Sequence, residues 1–428
     1  MIRLVASTAR SAGCERILAI VGHKAEEVAA VLPDFVECVH QPERIGTANA
    51  VAVAADALRD ADGYLLVMCG DMPLLRPETL RQLIDVCQGR CMSVLTAHVE
   101  NPSGYGRIVR DKTGTMCSIV EDKDASPSVL AINEVNTGIY CFALDGLFER
   151  LACIDNDNAQ GEYYLTDMVK VCCAEGSKVT SLQLTDPEEA HGVNSRAQLA
   201  DAAAILQRRV NARWMDEGVS IVAPALTWIS PDCELEADVE ILPNTVLARG
   251  TKVAHDCVIG PNTRLYGVRV GAGSVVEESI GYDSVMGERC VIGPRSYLRP
   301  GNVLDSEVKV GTSVEIKKSI IGRGSKVPHL SYMGDATIGE DVNVGAGTIT
   351  CNYDGHKKSP TTIGDRVFVG SDTMLVAPVT LGEGSVTAAG SAITEDVPAG
   401  ALAFGRARQV NKENYWAGKN VPKPKEGK

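Results

Sequence analysis

The sequence predicts two domains of different architecture: an α/β domain over residues 1–195 and a parallel β-helix over residues 230–428, joined by a helical linker over residues 196–229. Three observations carry this prediction. Aliphatic residues recur at every sixth position in the second half, apolar runs alternate with helical patterns in the first half, and a long alanine-rich stretch lies between them. A length of 428 residues also exceeds what one hydrophobic core usually serves.

The six-residue period is typical of a parallel β-helix, in which each coil pairs with the next and the spaced residue points into the bore. A small residue after it lets the chain turn a corner. A β-sandwich would instead show a period of two, with turns every eight to twelve residues. The residues predicted to point inward are Val253, Ile259, Leu265, Ile280, Met286, Ile292, Leu298, Leu304, Val310, Ile316, Ile321, Val327, Met333, Ile338, Val344, Ile363, Val369, Leu375 and Leu381.

Apolar strands and helices alternate through the first hundred residues, which predicts a doubly wound sheet. The uninterrupted apolar run 64–69 is predicted to lie at the buried centre of a parallel sheet. The linker helix begins after Asn194 or Ser195, either of which can cap it. The predicted helices of this half are 2–11, 25–31, 47–58 and 77–87, and the predicted strands are 17–21, 36–39, 64–69 and 93–97.

Composition excludes several classes of function. A net charge of −13 argues against bulk binding of nucleic acid or anionic membrane, although a local basic pocket for a phosphorylated substrate remains compatible with it. The 14 cysteines lack CxxC pairing, so we interpret them as reduced small hydrophobes of a cytoplasmic protein. No signal peptide or long apolar run is evident in the sequence. A Lys-rich tail from residue 411 is expected to be loosely ordered, with Trp416 docking on a neighbour.

Asp71 follows the apolar run 64–69, at the carboxyl end of a predicted strand, where open α/β sheets bind their ligands. A carboxylate there can hold a Mg²⁺ ion that bridges phosphates, and the alternative is that it caps the next turn. Other polar stretches at predicted strand ends are individually typical of turns. Together they could line one pocket: Gln41 with Gly46 and Thr47, Gly104 to Arg107, Glu121, Asn136 to Gly138, and Gly192 to Asn194.

A second group of polar residues interrupts the repeat. Arg299 and Lys317 are three hexads apart, so they should stack on one face, where two cations suit a phosphate. The alternative is a solvated charged face. His329 is a natural general base for an amine near neutral pH, and the alternative is a surface histidine held by a hydrogen bond. The insertion 351–362 interrupts the repeat, and such insertions often carry function.

The chain resembles the bacterial bifunctional enzymes that make UDP-N-acetylglucosamine by coupling a glucosamine-1-phosphate N-acetyltransferase to an N-acetylglucosamine-1-phosphate uridyltransferase. The stretches GYGRIVR, EVNTGIY, DNAQGEYYLTD, HLSYMGDATIG and VNVGAGTITCNYDG carry the resemblance, which runs from about residue 1 to 410. It implies a Rossmann-like nucleotidyltransferase domain followed by a left-handed β-helix of hexapeptide repeats, an exception to right-handed crossovers. It also implies a homotrimer that binds acetyl-CoA between neighbouring solenoids, uses Mg²⁺, and acts on glucosamine-1-phosphate and UTP.

The resemblance implies a role for each matching solenoid residue. His329 would take a proton from the substrate 2-amino group, which attacks the thioester of acetyl-CoA without a covalent enzyme intermediate. Asn343 would contact the sugar, and Asn352 and Tyr353 would orient the reactants or contact the cofactor. The sugar phosphate would be held by Arg299, Lys317, Tyr332 and Lys358, and acetyl-CoA would be contacted by Ala346, Ser371, Ala389 and Arg406.

In the first domain the resemblance implies a uridyltransferase site, in which the sugar phosphate attacks the α-phosphorus of UTP in line. Asp71 and Asn194 would be the Mg²⁺ ligands. Uracil would be read by Gln41, Gly46 and Thr47, and N-acetylglucosamine would be contacted by Gly106, Glu121 and Asn136.

The chain departs from this family at its start. The family begins with a strand and a glycine-rich LAAGxGTRM signature followed by a Pro-Lys pair, none of which this sequence contains. We therefore expect two exposed strand edges, an apolar slot, lower domain stability and impaired uridyl transfer. A start recorded too far downstream and a truncated product both explain this, and the intact uridyltransferase residues favour the first.

Two other functions compete with the bifunctional enzyme. One is a monofunctional sugar nucleotidyltransferase whose β-helix serves only oligomerisation. The other is a non-catalytic regulatory subunit with degenerate sites, which the missing loop favours for the first half alone. His329, Asn352, Tyr353 and the stacked cations count against the monofunctional nucleotidyltransferase.

Overall fold

The computed structural model describes residues 1–415; residues 416–428, which include Trp416, lie outside that range. The chain forms two compact units, one of residues 1–206 and one that begins at residue 207. The long helix Arg196–Asp216 crosses this division. Its first turn is capped by Ser195, whose Oγ accepts from the Gln198 N–H at 3.2 Å. Within residues 1–415 no helix has both the length and the hydrophobicity to cross a bilayer.

The first unit contains every helix and strand predicted for residues 1–100, although the second and third helices end earlier, at Ala29 and Ala52. Its helices are α1 Ile2–Ser11, α2 Ala25–Ala29, α3 Thr47–Ala52, α4 Pro77–Cys87, α5 Pro127–Leu130, α6 Leu147–Leu151, α7 Met168–Ala174 and α8 Arg196–Asp216, with 3₁₀ turns at Asp122–Asp124, Leu165–Asp167 and Pro187–Ala190. Its strands are β1 Ile17–Val21, β2 Val36–His40, β3 Tyr64–Val67, β4 Met92–His98, β5 Arg107–Arg110, β6 Met116–Val120, β7 Glu134–Ala143 and β8 Val179–Gln183.

The main sheet of this unit is mixed and is organised around β7. Strand β4 pairs antiparallel with β7 along one edge and parallel with β8 on its other side. On the other edge of β7, β3 pairs with one end of the strand and β5 with the other. Six of the seven residues of β4 are buried, so β4 and β7 form the centre of the sheet. The apolar core packs on both of its faces.

The prediction that β3 lies at the centre of a parallel sheet is wrong. Within residues 1–415, β3 pairs only with β7, in antiparallel orientation, and β1 pairs only with β2. Both β1 and β3 line one cavity of about 1320 Å³, together with Ile2 and Val5 of α1. This arrangement has the two open strand edges and the apolar slot that the sequence led us to expect. Open edges leave backbone groups without ladder partners, which destabilises a sheet.

The second unit is a parallel β-helix whose short strands form three parallel sheets of ten, nine and eleven strands within the described residues. The first face contains Trp228–Ile229, Val246–Ala248, Arg264–Tyr266, Ile280–Tyr282, Tyr297–Leu298, Glu315–Lys317, Tyr332–Gly334, Ile349–Cys351, Met374–Val376 and Ala392–Ile393. The second face contains Glu234–Leu235, Lys252–Val253, Arg269–Val270, Val285–Met286, Val303–Leu304, Ile320–Ile321, Ala336–Ile338, Thr361–Ile363 and Val379–Leu381. The third face contains Ser220–Ile221, Glu240–Ile241, Val258–Ile259, Val275–Val276, Val291–Ile292, Lys309–Thr312, Lys326–His329, Asn343–Val344, Phe368–Val369, Val386–Thr387 and Leu402–Ala403.

The spaced aliphatic residues fill the bore, with one exception. Ile280 was predicted to point inward, but Gly281 takes the interior position, in register with Leu265 and Leu298. A Cβ at Gly281 would lie 3.1 Å from Leu265 and 3.2 Å from the neighbouring Val268, so these side chains already occupy the space. The coils also begin earlier than residue 230, because strands Ser220–Ile221 and Trp228–Ile229 fall inside the predicted linker.

Candidate active sites

A network of polar side chains lies at the corner that follows the first face of the solenoid. Lys317 ends one strand, and Asp335 follows the strand of the next coil. Lys317 Nζ donates to the two carboxylate oxygens of Asp335 at 3.0 and 3.3 Å. Asn352 Nδ2 donates to Asp335 Oδ2 at 2.5 Å. Lys317 is only 8% exposed, so its ammonium group is held in one place.

The charges at this corner influence one another. The interaction with the neighbouring Lys358, and then the hydrogen bond with Asp335, raise the pKa of Lys317, while the interaction with Lys317 lowers the pKa of Lys358. Partial burial would raise the pKa of Asp335, but the hydrogen bonds from Lys317 and Asn352 outweigh it and the pKa is lowered. Two lysines near one carboxylate leave a surplus of positive charge, which favours an anionic ligand.

The stacking of Arg299 and Lys317 follows their eighteen-residue spacing. Leu298 pairs with Ile316, so the residues that follow each of them lie in adjacent coils of the first face. Arg299 Nη1 also donates to Glu315 Oε1 at 3.1 Å. This places three cations, Arg299, Lys317 and Lys358, around one region of the solenoid surface.

Tyr332 and Asn352 meet over Gly334. A Cβ added at Gly334 would lie 2.6 Å from Tyr332 Cζ and 2.7 Å from Asn352 Nδ2. Only a hydrogen at this position lets the two side chains approach so closely. The insertion continues from Asn352 into a small hairpin, in which Tyr353 and Lys358 form an antiparallel bridge. Tyr353 is 60% exposed and its hydroxyl donates to the Gly355 carbonyl at 2.6 Å.

His329 lies at the corner between the third and first faces, at the end of strand Lys326–His329. Its side chain is exposed and has no hydrogen-bond partner within residues 1–415. Its backbone carbonyl accepts from Ser331 Oγ at 2.7 Å and from the Gly347 N–H at 3.4 Å. The three-residue strand Tyr332–Gly334, about 10 Å long, separates His329 from the corner that carries Asp335.

A column of three small residues continues from His329 along the same corner of the solenoid. The register of the third face puts Ala346, Ser371 and Ala389 at the equivalent position of the next three coils. Backbone hydrogen bonds join each coil to the next, from Asp372 N–H to the Ala346 carbonyl at 2.6 Å and from Gly390 N–H to the Ser371 carbonyl at 2.8 Å. With coils about 4.8 Å apart, the column extends about 14 Å from His329.

Two further predicted residues lie near this column. Asn343 is on the third face, where it pairs with Lys326 of the coil that carries His329. Arg406 is exposed and follows the last strand of the face, Leu402–Ala403.

In the first unit, Gly46 and Thr47 are tied to the segment around Tyr163. Ala48 N–H donates to the Tyr163 carbonyl, and Tyr163 N–H donates to the Ile45 carbonyl, each at 2.9 Å. Gly46 has φ 129° and a Cβ there would lie 2.5 Å from Tyr163 N, so this approach requires glycine. Gln41 Nε2 donates to Asn49 Oδ1 of α3 at 2.8 Å, which places it beside the same segment.

Gly106, Glu121 and Asn136 are brought together. Asn136 N–H donates to the Gly106 carbonyl at 2.8 Å, and a Cβ on Gly106 would lie 3.5 Å from the Glu121 carboxylate. Thr166 Oγ1 donates to Glu121 Oε1 at 3.1 Å. Burial raises the pKa of Glu121, and this outweighs the Thr166 hydrogen bond. Thr47, Glu121 and Asn136 line the same cavity as the apolar slot, so the slot opens onto the predicted substrate residues.

Asp71 and Asn194 lie on adjoining segments, because the Val193 N–H donates to the Asp71 carbonyl at 2.9 Å. The carboxylate and amide oxygens are donor types that Mg²⁺ accepts when substrate phosphates complete its shell. Within residues 1–415 no group of three or more His, Cys, Asp or Glu side chains could hold a metal by itself. Neither residue lines the cavity that contains Glu121.

Sequence reasoning missed Asp335 and Gly334 as site residues, although both lie in the stretch HLSYMGDATIG. The signal for Asp335 was present. It stands eighteen residues after Lys317, the same spacing that separates Lys317 from Arg299.

Comparison with known proteins agrees with this architecture. The nucleotidyl transferase family profile matches residues 1–220, and the profile described as a hexapeptide repeat of succinyl-transferase matches residues 360–395. The bifunctional protein GlmU of Geobacillus sp. (strain WCH70) is 46% identical over 417 residues, which cover 97% of this chain and 91% of that protein. The chain belongs to the GlmU family of bifunctional proteins.

Other members of the GlmU family match over the same extent. The protein of Desulfitobacterium hafniense (strain DSM 10664 / DCB-2) is 48% identical over 417 residues, which cover 97% of this chain and 92% of that protein. The protein of Pelobacter propionicus is 46% identical over 425 residues, which cover 97% of this chain and 91% of that protein. Membership confirms the predicted fold class: an α/β nucleotidyltransferase domain followed by a left-handed parallel β-helix of hexapeptide repeats.

Proposed function

We propose that the solenoid transfers an acetyl group from acetyl-CoA to glucosamine-1-phosphate, and that the α/β domain transfers a uridylyl group from UTP to the resulting N-acetylglucosamine-1-phosphate. One observation carries the first activity: the free side chain of His329 and the cations around Lys317 flank a single short strand, Tyr332–Gly334. The open slot between β1 and β3 leads us to expect that the second activity is impaired.

In the acetyl transfer, His329 accepts a proton from the substrate amine as its nitrogen attacks the thioester carbonyl. A C–N bond forms, the C–S bond breaks, and the proton passes to the departing thiolate. A positioned general base contributes about 10²–10⁴-fold to such a step. Asn343 contacts the sugar, and Asn352 and Tyr353 orient the reactants. The substrate phosphate is held by Arg299, Lys317, Tyr332 and Lys358.

Acetyl-CoA lies along the column of small side chains that begins at His329. Ala346, Ser371 and Ala389 leave room for a ligand against the corner, and Arg406 supplies positive charge near the last coil. The column starts at the proposed base, which would put the thioester beside the amine.

In the uridylyl transfer, the segment Gly46–Thr47 with Gln41 reads the uracil base, and Gly106, Glu121 and Asn136 contact the N-acetylglucosamine. Asp71 and Asn194 would hold Mg²⁺. When bound, Mg²⁺ neutralises charge on the phosphates during in-line displacement.

We further propose a cytoplasmic homotrimer that binds neither nucleic acid nor membrane, in keeping with the net charge of −13. Val285, Val303 and Ile320 occupy equivalent positions of three successive coils on the second face, and each is between 42% and 52% exposed. A contiguous apolar stripe on a solenoid face supports burial against another copy. Ile320→Glu should lower the mass measured by light scattering from that of a trimer to that of a monomer.

Titration calorimetry with acetyl-CoA and with UTP tests the proposed function. We expect acetyl-CoA to bind and UTP to bind weakly or not at all. Binding of UTP without acetyl-CoA would instead support a monofunctional nucleotidyltransferase whose β-helix only oligomerises. Binding of neither ligand would support a non-catalytic subunit.

A further inference from the structure

Asp335 joins the two side chains that approach the substrate region from different coils. Its carboxylate accepts from Lys317 Nζ at 3.0 Å and from Asn352 Nδ2 at 2.5 Å. The Lys317 and Asp335 side chains are 10% and 21% exposed, so water competes little for their hydrogen bonds. Lys317 also lies near a second cation, Lys358, and the negative charge of Asp335 interacts favourably with both.

The backbone groups of Asp335 hydrogen-bond to the neighbouring coils without involving the carboxylate. Its N–H donates to the Lys317 carbonyl at 2.9 Å, and its carbonyl accepts from the Thr361 N–H at 3.3 Å. Its φ of 51° lies in the left-handed region, which asparagine and aspartate tolerate better than other side chains. The corner can therefore form with asparagine in place of aspartate.

We propose that Asp335 is a positioning residue of the acetyltransferase site, whose carboxylate fixes the Lys317 ammonium group and the Asn352 amide in the orientation that receives the sugar phosphate and the reacting groups. This inference rests on the proposed acetyl transfer. Asp335 acts through its two partners and does not itself need to touch the substrate.

Asp335→Asn tests the inference, since it keeps the size and backbone conformation and removes the charge. We expect kcat/KM for glucosamine-1-phosphate to fall about 10–100-fold, because displacement of a positioning group by about 1 Å costs up to about 100-fold. The KM for glucosamine-1-phosphate should rise, and that for acetyl-CoA should change less. Asp335→Glu, which restores the charge, should recover part of the loss.

Asp283→Asn is a matched control. Asp283 occupies the same corner three coils earlier, also has a left-handed backbone, and pairs with the exposed Arg249. The Asp283→Asn variant should have a kcat/KM within about twofold of that of the parent protein. The double variant Asp335→Asn/Lys317→Met should have nearly the same kcat/KM as Lys317→Met alone, because Asp335 acts through Lys317.

The outcomes distinguish failure of the Asp335 inference from failure of the proposed acetyl transfer. A parent protein that does not acetylate glucosamine-1-phosphate overturns the proposed function and the inference with it. An active parent with a near-normal Asp335→Asn variant, or with losses that multiply in the double variant, overturns the inference alone. If Asp335→Asn melts below the assay temperature, Asp335→Glu provides the test. Its longer side chain shifts the carboxylate, so the KM for glucosamine-1-phosphate should rise, and an unchanged KM would overturn the inference.

Discussion

Gly334→Ala places a methyl group between the two side chains that meet at the proposed acetyltransferase site. The new Cβ would lie 2.6 Å from Tyr332 Cζ and 2.7 Å from Asn352 Nδ2, whereas ordinary contact begins at 3.4 Å. The ring carbon must retreat by about 0.8 Å and the amide nitrogen by about 0.7 Å, and the Tyr332 hydroxyl lies closer still. Both obstructing groups are ends of side chains, so the backbone of the coil can remain in place.

We therefore expect a large loss of activity with a small loss of stability. A displacement of this size in a positioned site costs up to about 100-fold, which equals about 2.7 kcal/mol of transition-state stabilisation. Overpacking costs about 1–3 kcal/mol, and the lower end applies here because only side-chain ends move. The variant should stay folded at 25 °C.

The assay is the release of coenzyme A thiol from acetyl-CoA in the presence of glucosamine-1-phosphate, with urea unfolding of the same samples. Gly281→Ala is the control, since it adds a methyl group inside the bore of the same face, 3.1 Å from Leu265 and away from the site. It should keep full activity at a comparable stability loss. Activity of Gly334→Ala within about threefold of the parent, or an equal loss of activity in Gly281→Ala, would show that the close approach of Tyr332 and Asn352 does not matter for catalysis.

Three other predictions concern stability and dynamics. Ile316→Ala should destabilise the solenoid by about 2–5 kcal/mol in denaturant titrations, because its side chain is fully buried in the bore; a loss below about 1 kcal/mol would contradict that packing. Glu121→Gln should raise the melting temperature at pH 7–8. Burial raises the pKa of Glu121 in the folded protein, so its ionised form costs stability as pH rises through that pKa, and the gain should vanish below pH of about 4; an equal gain at every pH would refute this. Backbone amides of β1 should exchange with deuterium faster than those of β4, because β1 has one open edge and β4 is paired on both; equal protection would contradict the open edge.

Much of the solenoid followed from its repeat, because a bore of fixed width demands an apolar residue at a fixed interval. The failure at Ile280 shows the limit. The coil from Leu265 to Gly281 is two residues shorter than eighteen, so the period does not choose between Ile280 and Gly281, and the packing of Leu265 and Val268 decides. In the first domain the local patterns predicted the helices and strands well. The pairing of β3 with β7 could not be predicted from local pattern, since an apolar run is equally compatible with parallel and antiparallel neighbours.

The site was predicted in a similarly uneven way. Stacking of Arg299 on Lys317 follows from spacing alone, and the column from His329 to Ala389 follows once the register is known. Asp335 was missed because an aspartate at a turn is usually structural, and only the hydrogen bonds from Lys317 and Asn352 distinguish it.

The central claim is that His329 is the base of an acetyl transfer carried by the solenoid, and its removal tests this most directly. His329→Ala and the control His255→Ala, an exposed solenoid histidine paired with Asp256, are compared with the parent in the thiol-release assay at saturating acetyl-CoA and glucosamine-1-phosphate. We expect His329→Ala to lose about 10²–10⁴-fold in kcat while its mass by light scattering and its melting temperature match the parent, and His255→Ala to remain active. Near-normal turnover by His329→Ala would contradict the account.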